Sequence, residues 1–383
     1  MDLNLIDQIS LLLIFTSLFL AIFVFTVKTK NKLSNTLIAT FLVLNSLDAG
    51  NGFIDFYVFP NYPGMGMLLS SSIFLIPPFL YLYILSVIYS DFKFQKKHLL
   101  HFLPFLIVSL LLIPRYYLVS LEEKHVFLEG GVLNGKWEIK MSFILAHIQL
   151  LAYLLISFFA VKKYKQLLLE NYSNASLFNY SWLFSLMTIF ALSGLIVILK
   201  NGLRFLNLDE IFYYAQVVTS LIALVFIIWL VLKALQLPEL FRGIDSKLQL
   251  VKQENSRLIE MNFNSLEVDE NIQKLKQFMN DYEPFLDASI SIFSLSERLK
   301  LSEKELSLLI NRDLKTHFFD FINSYRINKA MEILEDISMK NLNISEIMYD
   351  VGFNSKSSFF TAFKKQTRTT PTQYRKRFLK NGN

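Results

Sequence analysis

The sequence contains no cysteine among its 383 residues, and charged residues make up only 18% of it. The absence of cysteine excludes a disulfide framework, a thiol nucleophile and any cysteine-ligated zinc or iron–sulfur site. Soluble domains carry roughly 25% charged residues, so the low share here is untypical of a cytosolic protein. Glycine and proline number 12 and 9, too few for a collagen-like or low-complexity chain. Apolar residues instead make up 53% of the sequence, and phenylalanine alone occurs 37 times.

The apolar residues are concentrated before Ala234, in seven runs that approach the roughly 20 helical residues needed to cross a hydrocarbon layer. The runs cover residues 5–27, 36–58, 67–89, 99–119, 142–161, 182–199 and 211–232. The fourth run is the weakest because Pro104, Pro114 and Arg115 interrupt it. We predict a polytopic seven-helix transmembrane bundle over residues 1–234, since buried helices of a soluble protein would rarely stay free of charge for so long.

The loop charges predict the orientation of this bundle. The loops after the first, third and fifth runs carry three lysines each, whereas the N-terminus carries no basic residue. Because lysine and arginine concentrate in cytoplasmic loops, we predict a multi-pass protein of the cytoplasmic membrane. Its N-terminus is then outside and its C-terminal region in the cytoplasm. Asp2 and Asp7 flank a long first run, a pattern that argues against a cleaved signal peptide.

The longest outer loop carries two turn dipeptides, Gly130-Gly131 and Asn134-Gly135. Flanked by the apolar segments 125–128 and 137–139, they favour a short hairpin. The hairpin would be either a connector or a lid over a ligand pocket.

The second run contains polar residues at the depth of the membrane. Asn45 and Asp48 share a helical face, and Asp48 lies ~18 Å from the start of the run at ~1.5 Å per residue. An ionisable group at that depth usually faces a cavity or a partner, for which His147 and Gln149 in the fifth run are candidates. Asn45, Asp48 and His147 therefore form a possible membrane sensor site. A structural hydrogen bond between helices is the alternative.

Residues 235–278 are predicted to form a helical, coiled-coil-like linker. Spacing of four and three residues connects Ile244, Leu248, Val251, Asn255 and Leu258. A coiled-coil seam with one asparagine fixes register in parallel dimers, so a homodimer through 244–258 is possible. Only about two heptads are present, and a solitary amphipathic helix is the alternative.

The last hundred residues contain an internal repeat at an offset of 52 positions, which becomes 53 after a turn. The matched pairs are Ile292 and Ile344, Leu295 and Ile347, Leu299 and Val351, Leu301 and Phe353, Ser302 and Ser355, Leu306 and Phe359, Leu309 and Ala362, and Ile310 and Phe363. Ser302 with Glu305, and Asn343 with Glu346, have the spacing of helix capping boxes. Each copy is therefore predicted to be helix, tight turn, helix, the geometry of a DNA-binding helix-turn-helix.

The second copy and the residues after it are strongly basic. Between residues 351 and 383 there is no acidic residue, and the basic ones are Lys356, Lys364, Lys365, Arg368, Arg375, Lys376, Arg377 and Lys380. Such a surface suits nucleic-acid phosphates, although anionic lipid is an alternative partner for a domain beneath a membrane. The duplicated helix-turn-helix favours DNA.

About a quarter of the chain, residues 281–378, resembles the AraC/XylS-type transcription regulators. The matching residues are Ile322, Arg326, Ala330, Leu334, Ile344, Glu346, Ile347, Val351-Gly352-Phe353, Ser357, Phe359, Phe363-Lys364, Thr370-Pro371 and Tyr374-Arg375. The resemblance implies a cytoplasmic all-α double helix-turn-helix domain over residues 279–383, which binds the major groove of double-stranded DNA at two successive turns. Lys300, Lys315 and Arg368 depart from the family by replacing glycine, where a positive φ costs up to ~1 kcal/mol.

The resemblance also implies which side chains meet DNA. The expected base-facing residues are Lys304, Ser307, Leu308 and Asn311 in the first unit, and Lys356, Ser357, Phe360, Thr361 and Lys364 in the second. Lys365, Arg375 and Arg377 are expected to contact phosphates rather than bases.

No phosphate-binding loop, nucleophile elbow or His-Glu-x-x-His motif occurs in the sequence, which predicts no enzyme, no cofactor and no metal site. The sequence instead predicts a one-component transcription regulator embedded in the lipid bilayer. It would respond to an unknown small-molecule or membrane-derived stimulus and bind promoter DNA. The alternative is a receptor-like or transporter-like membrane protein whose basic C-terminal region binds lipid or a protein partner.

Overall fold

The computed structural model describes residues 5–26, 32–51, 54, 58, 60–89, 91–128, 137–173, 180–205, 209–236 and 265–381. It divides into two compact units, one of residues 1–162 and 179–246, the other of residues 163–178 and 247–383. Every named element in the described ranges is helical, as the predicted all-α fold class requires. The predicted coiled-coil segment 244–258 lies outside the described residues.

Within the residues that the structure describes, nine α-helices belong to the apolar part of the chain. They are α1 (Leu5–Thr26), α2 (Lys32–Ala49), α3 (Pro63–Ser71), α4 (Ile76–Ile88), α5 (Leu103–Leu112), α6 (Leu121–Leu128), α7 (Trp137–Asn171), α8 (Tyr180–Phe205) and α9 (Asp209–Gln236). In the first compact unit, α1 packs against α2 and α9. Helix α2 also packs against α4, and α8 packs against α9.

Five stretches of the described residues are long and apolar enough to cross a membrane. They are Leu5–Thr26, Pro63–Ile88, Trp137–Asn171, Trp182–Leu203 and Glu210–Leu230. About half of the large apolar side chains on α7 and α9 are exposed, among them Leu155, Phe159, Leu221 and Val225. Exposed apolar surface of this extent is unusual for a soluble protein and is typical of a protein that associates with a membrane. Five of the seven predicted runs thus have a matching helix, and the count of seven stays a prediction.

The helix of the second predicted run begins at Lys32, four residues before the run, and buries several polar side chains. This helix, α2, buries Ser34, Asn35 and Ser46 together with its apolar residues. The Ser34 hydroxyl donates to the carbonyl of Ser86 in α4, and the Asn35 amide donates to the carbonyl of Val24 in α1. Polar side chains are tolerated there because neighbouring helices supply their hydrogen-bond partners.

The fourth predicted run is an irregular helical segment rather than one α-helix. A 3-10 helix (Lys96–Phe102) precedes α5, and a π turn (Ile113–Tyr117) follows it. Pro104 lies in the first turn of α5 and Pro114 in the first turn of the π segment, where a missing backbone N–H costs least.

The two segments that were predicted to form the strands of a hairpin in the outer loop are helical, so this prediction is wrong for both segments. Residues 125–128 belong to helix α6, and residues 137–139 begin helix α7. Acidic side chains at Glu122, Glu123 and Glu138 lie in the first turns of these helices, where they complement the helix dipole. The turn residues 129–136 lie outside the described part of the chain.

In the described part of the second compact unit there are seven further α-helices. They are α10 (Ser265–Tyr282), α11 (Ile292–Leu299), α12 (Glu303–Leu308), α13 (Phe318–Glu335), α14 (Ile344–Asp350), α15 (Lys356–Thr367) and α16 (Pro371–Asn381). Helices α11 and α12 form the first predicted helix-turn-helix, and α14 and α15 form the second. From here on, the first unit and the second unit mean these two helix-turn-helix units. The predicted boundary at residue 279 falls inside α10.

Helix α13 joins two separate apolar clusters. Phe318, Phe321 and Ile322 of its first half are buried with residues of α10, α11 and α12. Ile327, Ala330 and Leu334 of its second half are buried with residues of α14 and α15. One continuous helix therefore contributes to the cores of both helix-turn-helix units, and its rigidity sets the distance between those two units.

The predicted helix signals are confirmed in detail. Ser302 with Glu305 and Asn343 with Glu346 both form complete capping boxes. Lys300, Lys315 and Arg368 all adopt a positive φ, of 58°, 52° and 62°, at the positions where the sequence replaces glycine. Gly352 has a φ of 89° in the turn of the second unit. Glu283 also has a positive φ, which no sequence signal indicated.

Candidate nucleic-acid interface

The recognition helix of the second unit, α15, presents an open polar face. Lys356, Ser357, Thr361 and Lys364 are all exposed on it. The hydroxyl of Ser355 accepts from the backbone N–H of Ser358, so the helix begins with a satisfied cap. These four side chains were expected at base edges, and the structure leaves them free to reach a groove.

Phe360 packs beneath this face and does not project from it. Its ring is half-buried against the apolar cluster of the second unit. The ammonium of Lys356 lies 5.8 Å from the centroid of the Phe360 ring, a cation–π distance. A contact between Phe360 and a thymine methyl therefore remains a prediction. Only the exposed part of the half-buried ring could make it.

The recognition helix of the first unit is more enclosed. Lys304 is exposed, but Ser307 is only 7% exposed and Leu308 only 4%. The amide of Asn311 donates to the Ser307 hydroxyl at 3.1 Å, and its own carbonyl oxygen is buried without a partner. The exposed face that the sequence predicted at Ser307 and Leu308 is thus absent from the structure, and Asn311 is half-buried.

Helix α10 is the physical reason for this difference. Val268 and Asn271 on its first turns face Leu301, Leu308 and Leu309 across a narrow cleft. Ile272 also packs against the buried cluster of the first unit. Val268 and Asn271 of α10 therefore line the same cleft as Leu308, which the family resemblance placed on an exposed face.

The three residues expected at phosphates are held differently from one another. Arg377 is exposed. The ammonium of Lys365 lies 2.7 Å from the carboxylate of Asp320 on α13, an exposed ion pair that DNA phosphates would have to compete with.

Arg375 is turned inward. Its guanidinium donates to the carbonyl of Leu342 at 2.7 Å, while its Nε and Nη2 are buried without a partner. Burial lowers the pKa of Arg375. The side chain thus ties α16 to the loop before α14, and its phosphate contact stays a prediction that needs a turn of the guanidinium.

The two recognition helices differ in charge. Residues 302–313 of the first unit contain Glu303, Glu305 and Asp313 beside two basic residues. Residues 355–368 of the second unit contain four basic residues and no acidic one. The recognition segment of the second unit therefore carries the larger net positive charge.

The first compact unit holds a group of polar side chains around Asp48. Asn51 donates to the carboxylate of Asp48 at 3.2 Å, and Ser70 donates to Asn51 at 3.3 Å. Lys200 on α8, which the sequence reading missed, interacts electrostatically with Asp48. Lys200 directly follows the sixth predicted run, where a charged residue is expected. The sequence therefore gave no reason to connect it with Asp48.

The expected partners of Asp48 are engaged elsewhere. His147 is bonded at 3.1 Å to the side-chain amide of Asn201, and Gln149 donates to the carbonyl of Phe74. Asn45 donates to the carbonyl of Phe41 in its own helix. The predicted pairing of Asp48 with His147 or Gln149 is therefore not what the structure shows. Within the described residues, no group of three acidic or histidine side chains is placed to hold a metal ion.

Comparison with known proteins supports the helix-turn-helix geometry. Residues 295–377 match a family model described as a helix-turn-helix domain. The C-terminal region is an AraC-type helix-turn-helix domain.

Several curated proteins are similar to this AraC-type domain. An uncharacterised HTH-type transcriptional regulator of Staphylococcus aureus is 33% identical over 105 residues, which are 27% of this chain and 14% of that protein. The uncharacterised HTH-type transcriptional regulator YdeC of Bacillus subtilis is 28% identical over 103 residues, 27% of this chain and 34% of that protein. A protein named histidine kinase P4 of Formosa agariphila is 30% identical over 111 residues, 29% of this chain and 8% of that protein. The chain thus spans about a third or less of each relative.

Among solved structures, the C-terminal domain of AraT, a response regulator from Geobacillus stearothermophilus, is 31% identical to the AraC-type domain. The match covers 28% of this chain and 84% of that one, with a TM-score of 0.25.

Proposed function

We propose that the protein is a membrane-embedded transcription regulator that senses a stimulus through its apolar helices and binds promoter DNA through its AraC-type domain. The observation that carries the DNA-binding half is the pair of capped helix-turn-helix units joined by α13. One continuous helix in both cores fixes the separation of α12 and α15, as contact with two successive turns of a duplex requires.

The two units would contribute unequally to DNA binding. The exposed basic and hydroxyl side chains of α15 supply both phosphate attraction and hydrogen bonds to base edges. Helix α12 offers Lys304 and, after a local adjustment, Asn311. We therefore assign most of the base reading to the second unit, with the first unit fixing the register.

Footprinting tests this assignment. The fragment 265–383 retains α10 and hence the whole core of the first unit, and it should protect a defined site in the presence of excess nonspecific DNA. Lys356→Ala with Thr361→Ala should abolish the discrimination between that site and scrambled sequence. The matched control is Lys376→Ala on α16, which removes one exposed charge without touching α15. Uniform protection governed only by salt would instead favour a basic surface for lipid or a partner protein.

The sensing half of the proposal rests on the polar group around Asp48. Asp48 accepts a hydrogen bond from Asn51, which in turn accepts one from Ser70 of α3. Asp48 also interacts electrostatically with Lys200 of α8, whose ammonium donates to Gln216 of α9. Convergent polar groups in an apolar surround are typical of ligand sites in membrane proteins. Asp48→Asn keeps the shape and removes the charge, so it should change reporter output when external solutes are varied, while an Asp91→Asn control in a predicted cytoplasmic loop should not.

A further inference from the structure

Arg326 on α13 is a fully buried cation at the junction of the two helix-turn-helix units. It has no exposed surface, and burial lowers its pKa to about 10, so it stays charged at neutral pH. Its Nε donates to the carbonyl of Phe285 at 2.6 Å, and its Nη2 donates to the carbonyl of Asp287 at 2.9 Å. On its other side the guanidinium lies 5.4 Å from the centroid of the Phe353 ring. One side chain thus contacts the entry to the first unit and the turn of the second.

The remaining bond of Nη2 goes to a residue far away in sequence. Ser173 follows the end of α7, and its hydroxyl oxygen accepts from Arg326 at 3.1 Å. The same hydroxyl donates to the carbonyl of Ile290 at 2.9 Å, and Ser173 is only 1% exposed. Beside it, Tyr172 forms an isolated antiparallel bridge with Ser291, the cap of α11. We name Tyr172, Ser173 and their partners Ile290, Ser291 and Arg326 the docking contact.

All members of the docking contact belong to the same compact unit, which contains residues 163–178 as well as the AraC-type domain. Residues 163–171 are the last part of helix α7, and Ser173 follows two residues after its end. The stretch Trp137–Asn171 is long and apolar enough to cross a membrane. A displacement of α7 along its axis would therefore move Ser173 directly. The lysines at 162, 163 and 165 predict that this end of α7 is cytoplasmic, on the side that the DNA-binding domain needs.

We propose that the docking contact couples α7 to DNA binding, in addition to the covalent path through residues 237–264. The proposal rests on the proposed function. With Ser173 in place, Arg326 is fixed between the two units, and the units are ordered before DNA arrives. Binding then costs less ordering entropy, so the docked form has the higher affinity for DNA.

The absence of cysteine from the chain allows a direct test in the full-length protein in lipid nanodiscs. Tyr172→Cys with Ser291→Cys places two cysteines at facing positions of an antiparallel bridge, within the Cα separation that a disulfide spans. A protease site inserted in the segment 237–264 leaves the two fragments joined after cleavage only if the disulfide has formed. The control pair is Tyr172→Cys with Ser338→Cys, because Ser338 lies beyond the end of α13, ~13 Å or more from Arg326 at 1.5 Å per residue.

We expect the first pair to crosslink and the control pair to fail. Oxidation of the first pair should raise affinity for the footprinted site about threefold or more, relative to the same protein reduced. Ser291→Cys alone corrects for the lost helix cap. Ser173→Ala in the otherwise unchanged protein should lower the affinity by a similar factor, since it removes the oxygen that Arg326 donates to.

The three other outcomes are distinguishable. Failure of the first pair to crosslink overturns the contact itself. A crosslink that leaves the affinity unchanged, together with an unaffected Ser173→Ala variant, overturns the coupling. Absence of any sequence-specific DNA binding in every variant overturns the proposed function and the coupling with it, even where the crosslink forms.

Discussion

Gly352 provides the sharpest test of the second helix-turn-helix. A Cβ at this position would lie 2.7 Å from the carbonyl oxygens of Leu286 and Phe285, and 3.0 Å from Nε of Arg326. The φ of 89° adds a cost of about 1 kcal/mol for any residue with a side chain. Because two of the three close atoms are backbone oxygens, relief requires the chain itself to move. We expect Gly352→Ala to reduce the free energy of unfolding by about 3 kcal/mol or more.

The measurement is thermal unfolding of the fragment 265–383, which contains both apolar clusters completely. For a domain of this size a loss of ~3 kcal/mol lowers Tm by ~12 °C. Lys300→Gly is the matched control with the opposite sign. It removes the strain of a φ of 58° and should raise stability by about 0.5–1 kcal/mol. A fall in Tm of less than about 4 °C for Gly352→Ala would refute the reasoning.

Three further predictions concern charge. Lys364→Ala should reduce the slope of log affinity against log salt by about one, measured by titration at several salt concentrations; an unchanged slope would remove Lys364 from the phosphate contacts. The hydroxyl and backbone N–H of Ser289 and the nearby arginines lower the pKa of Asp287, so its contribution to stability is present above the ordinary value of ~3.9 and is lost as the pH falls through the folded-state pKa. Asp287→Asn should therefore flatten the loss of stability on acidification, followed by urea unfolding between neutral pH and about pH 2, and a steeper acid limb would contradict this. Lys200→Gln should alter reporter output in the same direction as Asp48→Asn if the two charges act as one group, and opposite effects would show that they do not.

Much of the DNA-binding domain could be predicted because its signals are local. The repeat of apolar residues, the capping boxes and the lysines at glycine positions each involve residues within one turn or one helix of each other. Backbone hydrogen bonding and φ then determine the outcome, with little help from the rest of the chain. The structure places these features where the sequence predicts them.

The base-facing residues of α12 were less accessible to prediction. The period of 3.6 residues identifies Leu306 and Ile310 as core positions, but it does not say whether a second element covers the adjacent face. The nearby element is α10, whose Val268 lies forty residues before Leu308 in the chain and lines the same cleft. Helix–helix contacts over such separations leave no pattern in a single sequence.

The same reason explains the errors in the membrane part. The sequence predicted His147 or Gln149 as the partner of Asp48, yet its electrostatic neighbour is Lys200 in another helix. Ser173 carried no sequence signal at all, since a serine in a lysine-rich loop is unremarkable in composition. Only the packing of helices brings either residue to its partner.

The way α10 leans on the first unit has a practical consequence for building hybrid regulators. The recognised family segment begins at residue 295, but Leu275 and Met279 of α10 are completely buried beneath it. A graft cut at the family border would expose that apolar surface to water and leave Leu308 uncovered. Exchange of this output module between sensors should therefore carry the chain from Ser265 onward, with the joint placed upstream of α10.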